Sequence, residues 1–170
     1  LNSLFMFIAD DEMLRRISLW QMGSLDAANW PRVWIAAAAV AIVMTLLPRD
    51  AAALNAFLLG ESEARHLGIA VDAVKRRLIL LTAMAIGVSV AVAGTISFVG
   101  LIVPHIVRLL IGPDHRYLIP ASAMMGAMLL ILADAVARVV VAPAELPAGI
   151  LTALLGTPFF FSMLAKKRRG

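Results

Sequence analysis

The chain has 170 residues, of which 62% are hydrophobic and only 15% charged, and its mean hydropathy is +0.92. A soluble domain is nearer 45–50% apolar and about 25% charged, so the composition excludes an ordinary soluble fold. The formal charge of +4 sits in short runs between apolar segments, which argues against nucleic acid as a partner, and with no cysteine there is neither a disulfide framework nor a thiolate metal site.

In chain order, the opening "LNSLFMFIA" reads as the tail of a helix that begins earlier, so the chain is expected to be the C-terminal part of a larger protein. Val33–Leu47 is an uncharged run fit to cross a membrane, with Trp30 and Trp34 suited to the interface just before it. Residues 48–77 form the one sizeable polar connection. They read as two short helices, the first capped by Asp50 and stopped by Gly60, the second covering Glu61–Leu67 and closed by Gly68. Glu61 and Arg65 stand at i, i+4 in the favourable order. Leu54, Leu58 and Leu59 give the first helix an apolar edge, to be covered by lipid headgroups or by a partner's groove.

Leu78–Pro104 carries no charge and is too long for one crossing. Ala83, Gly87 and Ala91 make a ridge of small residues suited to close helix approach, and "AAAAVA" at 36–41 makes another smooth surface. Further apolar runs cover Tyr117–Val141, interrupted by Asp134 and Arg138, and Leu146–Ala165, which ends in "KKRR".

Basic residues in short loops mark the cytoplasmic side. The C-terminal "KKRR", the segment Asp114–Arg116 and residues 48–77 then all lie inside. This requires an even number of crossings between Arg77 and His115. Two crossings are expected: Leu78–Ala93 outward, a bend at Gly94–Gly100, and a return over Leu101–Ile111, with Pro104 near the start of its helix. That return is only about 16 Å long at 1.5 Å per residue, too short to span hydrocarbon. It must lie inside a bundle, where His105 and Arg108 are tolerated. The expected fold class is all-α: a polytopic transmembrane bundle with a short broken return helix and cytoplasmic helices.

The stretches "LNAFLLGESEARHLGI", "AVAGTISFVGLIVPHIVRLLIGPDHRYLIP", "LLILADAVAR" and "ELPAGILTALLGTPFFFSML" resemble the permease subunits of iron-siderophore, haem and cobalamin ABC importers, the FecCD-type family. The likeness covers nearly the whole chain in the family's motif order. It implies that residues 1–170 are the C-terminal half of a single transmembrane permease domain, about five spans and the tail of one before. It further implies a second permease copy, an ATP-binding cassette subunit docked from the cytoplasm, and a periplasmic substrate-binding protein delivering an iron chelate, all in the bacterial inner membrane. The ATPase-coupling residues would be Leu58, Leu59, Gly60, Glu61, Ala64, Arg65, Leu67 and Gly68. Arg138 matches a family arginine that meets the binding protein, although Asp134 and Arg138 at i, i+4 could simply pair. The stretch from Ala9 to Leu25 resembles the outer connection of the haem branch. Leu1–Ile8 and about Ala148–Leu164 would lie near the interface between permeases.

No catalytic constellation or phosphate-binding glycine loop is present, so ATP hydrolysis would reside in a partner. His66, His105 and His115 are far apart in the expected topology and lack metal-site spacing, so neither a cofactor nor a metal is expected. An ion- or proton-coupled secondary transporter is the alternative, since broken helices and intramembrane charges occur there too. An inactive truncated permease is a third reading.

Overall fold

In a computed structural model, the described residues are Gln21–Gly23, Leu25, 28–140 and 147–167. They contain seven α-helices and no strand: α1 (Trp30–Leu46), α2 (Ala51–Phe57), α3 (Glu61–His66), α4 (Val71–Ala93), α5 (Val99–Ile111), α6 (His115–Val140) and α7 (Ala148–Lys167). Three stretches are long and apolar enough to cross a membrane: Trp30–Phe57, Val71–Ala93 and His115–Val139. The helical bundle is therefore as expected, with α7 as a further apolar helix of 20 residues. The stretch from Ala9 to Leu25 falls largely outside the described residues, as do Arg168 and Arg169 of the "KKRR" tail, and Leu1–Ile8 does so entirely.

Helix α1 starts where its sequence says it should. The Asn29 side chain accepts a hydrogen bond from the Arg32 backbone N–H at 3.0 Å, and Pro31 occupies the first turn, where a missing N–H costs nothing. Trp30 and Trp34 are exposed, as interfacial anchors should be. A 3-10 turn at Leu47–Asp50 leads from α1 straight into α2, with no loop between them. Helix α1 lies against α4, and Ala39, Val43 and Leu81 are buried there.

Helix α4 begins at Val71, earlier than the charge pattern suggests, so Lys75, Arg76 and Arg77 ride on its first turns. It ends at Gly94, whose φ of 71° only glycine adopts at no cost. The turn is tighter than Gly94–Gly100. Helix α5 starts at Val99, and Gly100 lies inside it. Pro104 also lies inside α5, so it removes one interior hydrogen bond instead of starting the helix. The residue before the helix, Phe98, has a left-handed backbone with φ 66°, unusual for a bulky side chain. Its side chain is seated against Gly156 of α7, where a Cβ would overlap it.

Helix α5 packs mainly on α6 through Val103, Val107 and Leu118, and α7 touches both. At 13 residues α5 is about 20 Å long, too short to span alone, as its sequence requires. Among the described residues the small-residue ridge of α4 is uncovered: Ala83, Gly87 and Ala91 are all exposed.

Candidate coupling surface

The two short helices α2 and α3 fold around a small core of their own. Ala56, Ala64 and Val71 are buried together, with Phe57 and Ile69 against them. Gly60 turns the chain between the helices at φ 109°, and Gly68 ends α3 at φ 80°. There the Gly68 N–H donates to the Arg65 carbonyl at 2.9 Å and the Ile69 N–H to the Ala64 carbonyl at 3.1 Å, which closes the helix in a Schellman motif. Glu61 and Glu63 in the first turn and Arg65 and His66 in the last complement the helix dipole.

This build turns the remaining apolar residues outward. Leu58, Leu59 and Leu67 are 53%, 69% and 65% exposed and form a crown on the pair. Gly60, Glu61, Arg65 and Gly68 are exposed beside them. Ala64 is an exception among the expected contact residues. It is completely buried and holds the two helices together from within.

The charges pair differently from their sequence spacing. Glu61 does not reach Arg65; it bonds Lys75 of α4. Arg65 bonds Asp72 at 3.1 Å. Both pairs tie α3 to the start of α4. Asp50 stands at the N-terminus of α2 but caps nothing. Its side chain is 7% exposed and receives a hydrogen bond from Arg77 of α4 at 3.0 Å.

A second polar contact is one that sequence spacing does not announce. The Asn55 amide of α2 donates to Asp114 Oδ1 at 2.7 Å. Its oxygen accepts from the His115 backbone N–H at 2.9 Å and lies 2.8 Å from His115 Nδ1. An amide oxygen only accepts, so that ring nitrogen carries its proton. Asp114 also accepts from the Arg116 N–H at 2.9 Å and so opens α6. The Arg116 N–H, followed by Asn55, holds the Asp114 carboxyl below its ordinary 3.8, against a smaller opposing effect of burial. The only hint in the sequence is one asparagine in a helix of alanine, leucine and phenylalanine.

At the far end of α6, Arg138 Nε donates to Asp134 Oδ2 at 2.8 Å, so the internal i, i+4 pair is formed. Arg138 keeps 57% of its side chain exposed. Among the described residues no group of three His, Asp or Glu could hold a metal ion.

Residues 1–166 match the model of the FecCD transport family. The chain belongs to this family. It is 48% identical over 162 residues to the hemin transport system permease protein HmuU of Yersinia pestis, covering 95% of this chain and 48% of that protein. It is 42% identical over 160 residues to the vitamin B12 import system permease protein BtuC of Vibrio cholerae, covering 94% and 48%. It is 42% identical over 159 residues to the iron(3+)-hydroxamate import system permease protein FhuB of Bacillus subtilis, covering 94% and 41%. A solved structure described as an inward-facing metal-chelate type ABC transporter superposes with a TM-score of 0.88 at 36% identity, over 96% of this chain and 55% of that one. The chain thus spans about half the length of the relatives it matches.

Proposed function

We propose that this FecCD family chain is the C-terminal half of a permease that moves an iron chelate, haem or a ferric siderophore, across the bacterial inner membrane. Transport is by alternating access, and the energy comes from ATP hydrolysed in a separate cassette subunit. The observation that carries this reading is the exposed crown of Leu58, Leu59 and Leu67 on a helix pair with its own core. A soluble surface rarely presents such an edge without a partner. The pair stands at the basic end of α4, as a cytoplasmic element should. Haem is favoured over the other chelates by the higher identity to the hemin permease. A second permease copy completes the pathway, lipid surrounds it, and the cytoplasmic C-terminus follows from its lysines and arginines.

The test is made in the complete transporter. Leu59→Asp with Leu67→Asp leaves membrane insertion intact, because neither side chain belongs to the core of the pair. ATPase copurifying with the unaltered protein, and uptake lost in the double variant, are expected. A protein that purifies alone and transports on an ion gradient is a secondary transporter instead.

Arg138 docks the periplasmic binding protein in this reading. Its bond to Asp134 supports a second role as an internal pair. A charge-swap cycle separates them. If Arg138→Glu is rescued by an acid-to-base change on the binding protein, the residue docks. Rescue by Asp134→Lys alone makes it structural. A rim pair of this kind mainly sets encounter rate, and is worth up to about 1 kcal/mol.

A further inference from the structure

We propose that Asn55 is the positioning residue through which the α2–α3 pair moves the short helix α5. The inference rests on the coupling role proposed above, and it names where the push goes.

Helix α5 is gripped at both ends. At its start, Phe98 is seated against Gly156 of α7. At its finish comes Gly112, with φ 91°, and then Asp114 and His115. Both of those residues are held by the one amide of Asn55, which lies 59 and 60 residues away in the chain. A displacement of α2 therefore pulls on the joint between α5 and α6. The joint is also the N-terminus of α6, on which α5 packs, so the pull reaches α5 together with the first turn of α6.

The chemistry selects an amide. Asn55 gives a proton to a carboxylate and takes one from the His115 N–H at the same time, and both contacts are part-buried. Aspartate there would place two carboxylates at hydrogen-bond distance. Alanine would leave both partners unmade. The other link from this region, Asp50 to Arg77, ties the start of α2 to α4 and does not reach the α5–α6 joint.

The experiment compares three forms of the complete transporter, reconstituted with its ATPase: unaltered, Asn55→Asp, and Asn55→Asp with Asp114→Asn. The double change exchanges donor and acceptor. The amide introduced at position 114 can donate to the carboxylate introduced at position 55 and still accept the Arg116 N–H. The readout is substrate moved per ATP hydrolysed. We expect Asn55→Asp to keep its ATPase and hydrolyse ATP while that ratio falls by about tenfold, the scale of one lost hydrogen bond to a charged group. The double variant should return to within about twofold of the unaltered ratio. A residue that only stabilised the fold would lower the amount of protein and leave the ratio unchanged, which overturns the proposal. So does a double variant that fails to recover. If Asn55→Asp does not accumulate in the membrane, Asn55→Ala replaces it, and an unchanged ratio there is equally fatal. Absence of any ATPase from the unaltered complex would instead refute the coupling role itself.

Discussion

At the scale of single residues, burial decides which half of an ion pair matters. Asp50 is almost wholly buried, whereas Arg77 is about half exposed. Arg77→Ala strands a carboxylate away from water and should destabilise the protein by about 2–3 kcal/mol, less than a fully buried pair would because the arginine is partly solvated. Asp50→Asn leaves an arginine that water can reach, and should cost about 1 kcal/mol. Unfolding in detergent by denaturant titration measures both; equal costs would mean that the Asp50 carboxylate has access to solvent. Asp114 behaves differently. Its lowered pKa contributes stability that is complete above 3.8 and is lost only as the pH falls below that, through the lowered value, so this contact is insensitive to pH near neutrality. None of these pairings can be read from spacing. Glu61 and Arg65 are in register on one helix, yet both take partners on α4, because tertiary proximity sets which charges meet.

At the scale of elements, much was legible. Apolar length located α1, α4, α6 and α7, and glycines marked the ends of α3 and α4. The short return helix followed from charge parity and lies within two residues of its expected start. The joint before it was less legible, since nothing in a phenylalanine announces a left-handed backbone. That conformation costs about 1–2 kcal/mol and persists because Phe98 is held against Gly156. Gly156→Ala should therefore destabilise by about 1–3 kcal/mol through overpacking. Gly100→Ala, with open space around it inside α5, should be neutral or gain about 0.5–1 kcal/mol. Adding Phe98→Gly to Gly156→Ala removes both the overlap and the strain. Thermal unfolding of the two single variants, the double variant and the unaltered protein gives the coupling, and additive effects would show that the two residues do not touch.

At the scale of the whole molecule, the chain is open: it exposes 11994 Å², whereas a compact protein of 18.2 kDa would expose about 8,100 Å². Each candidate span is only 6% buried. The exposed ridge of Ala83, Gly87 and Ala91 belongs to this same surface, so the close packing expected there from the sequence is not made among the described residues. Orientation is testable on the molecule as a whole, because the chain has no native cysteine. Ser62 of α3 and Ser97 after α4 lie at opposite ends of α4, and both are exposed. In cells with a permeable outer envelope, Ser97→Cys should react with an impermeant thiol reagent and Ser62→Cys should be shielded. The reverse pattern would invert the topology, and equal labelling would refute it.

The two ends of α4 are fastened by different means. At one end the fasteners are side-chain charges: Glu61 with Lys75, Arg65 with Asp72, Asp50 with Arg77. At the other they are glycines at backbone distance. The Gly149 N–H donates to the Gly23 carbonyl at 3.2 Å, and a Cβ on Gly23 would come within 2.7 Å of the Thr95 carbonyl oxygen. Raising ionic strength screens exposed charges within a Debye length of about 8 Å at 0.15 M, so concentrated salt weakens the exposed Glu61–Lys75 and Arg65–Asp72 pairs, spares the buried Asp50 contact more, and leaves the second end untouched. The second end fails to bulk instead: it tolerates any electrolyte but almost no added methyl group. One end of the protein answers to its solution, the other only to its genetic code.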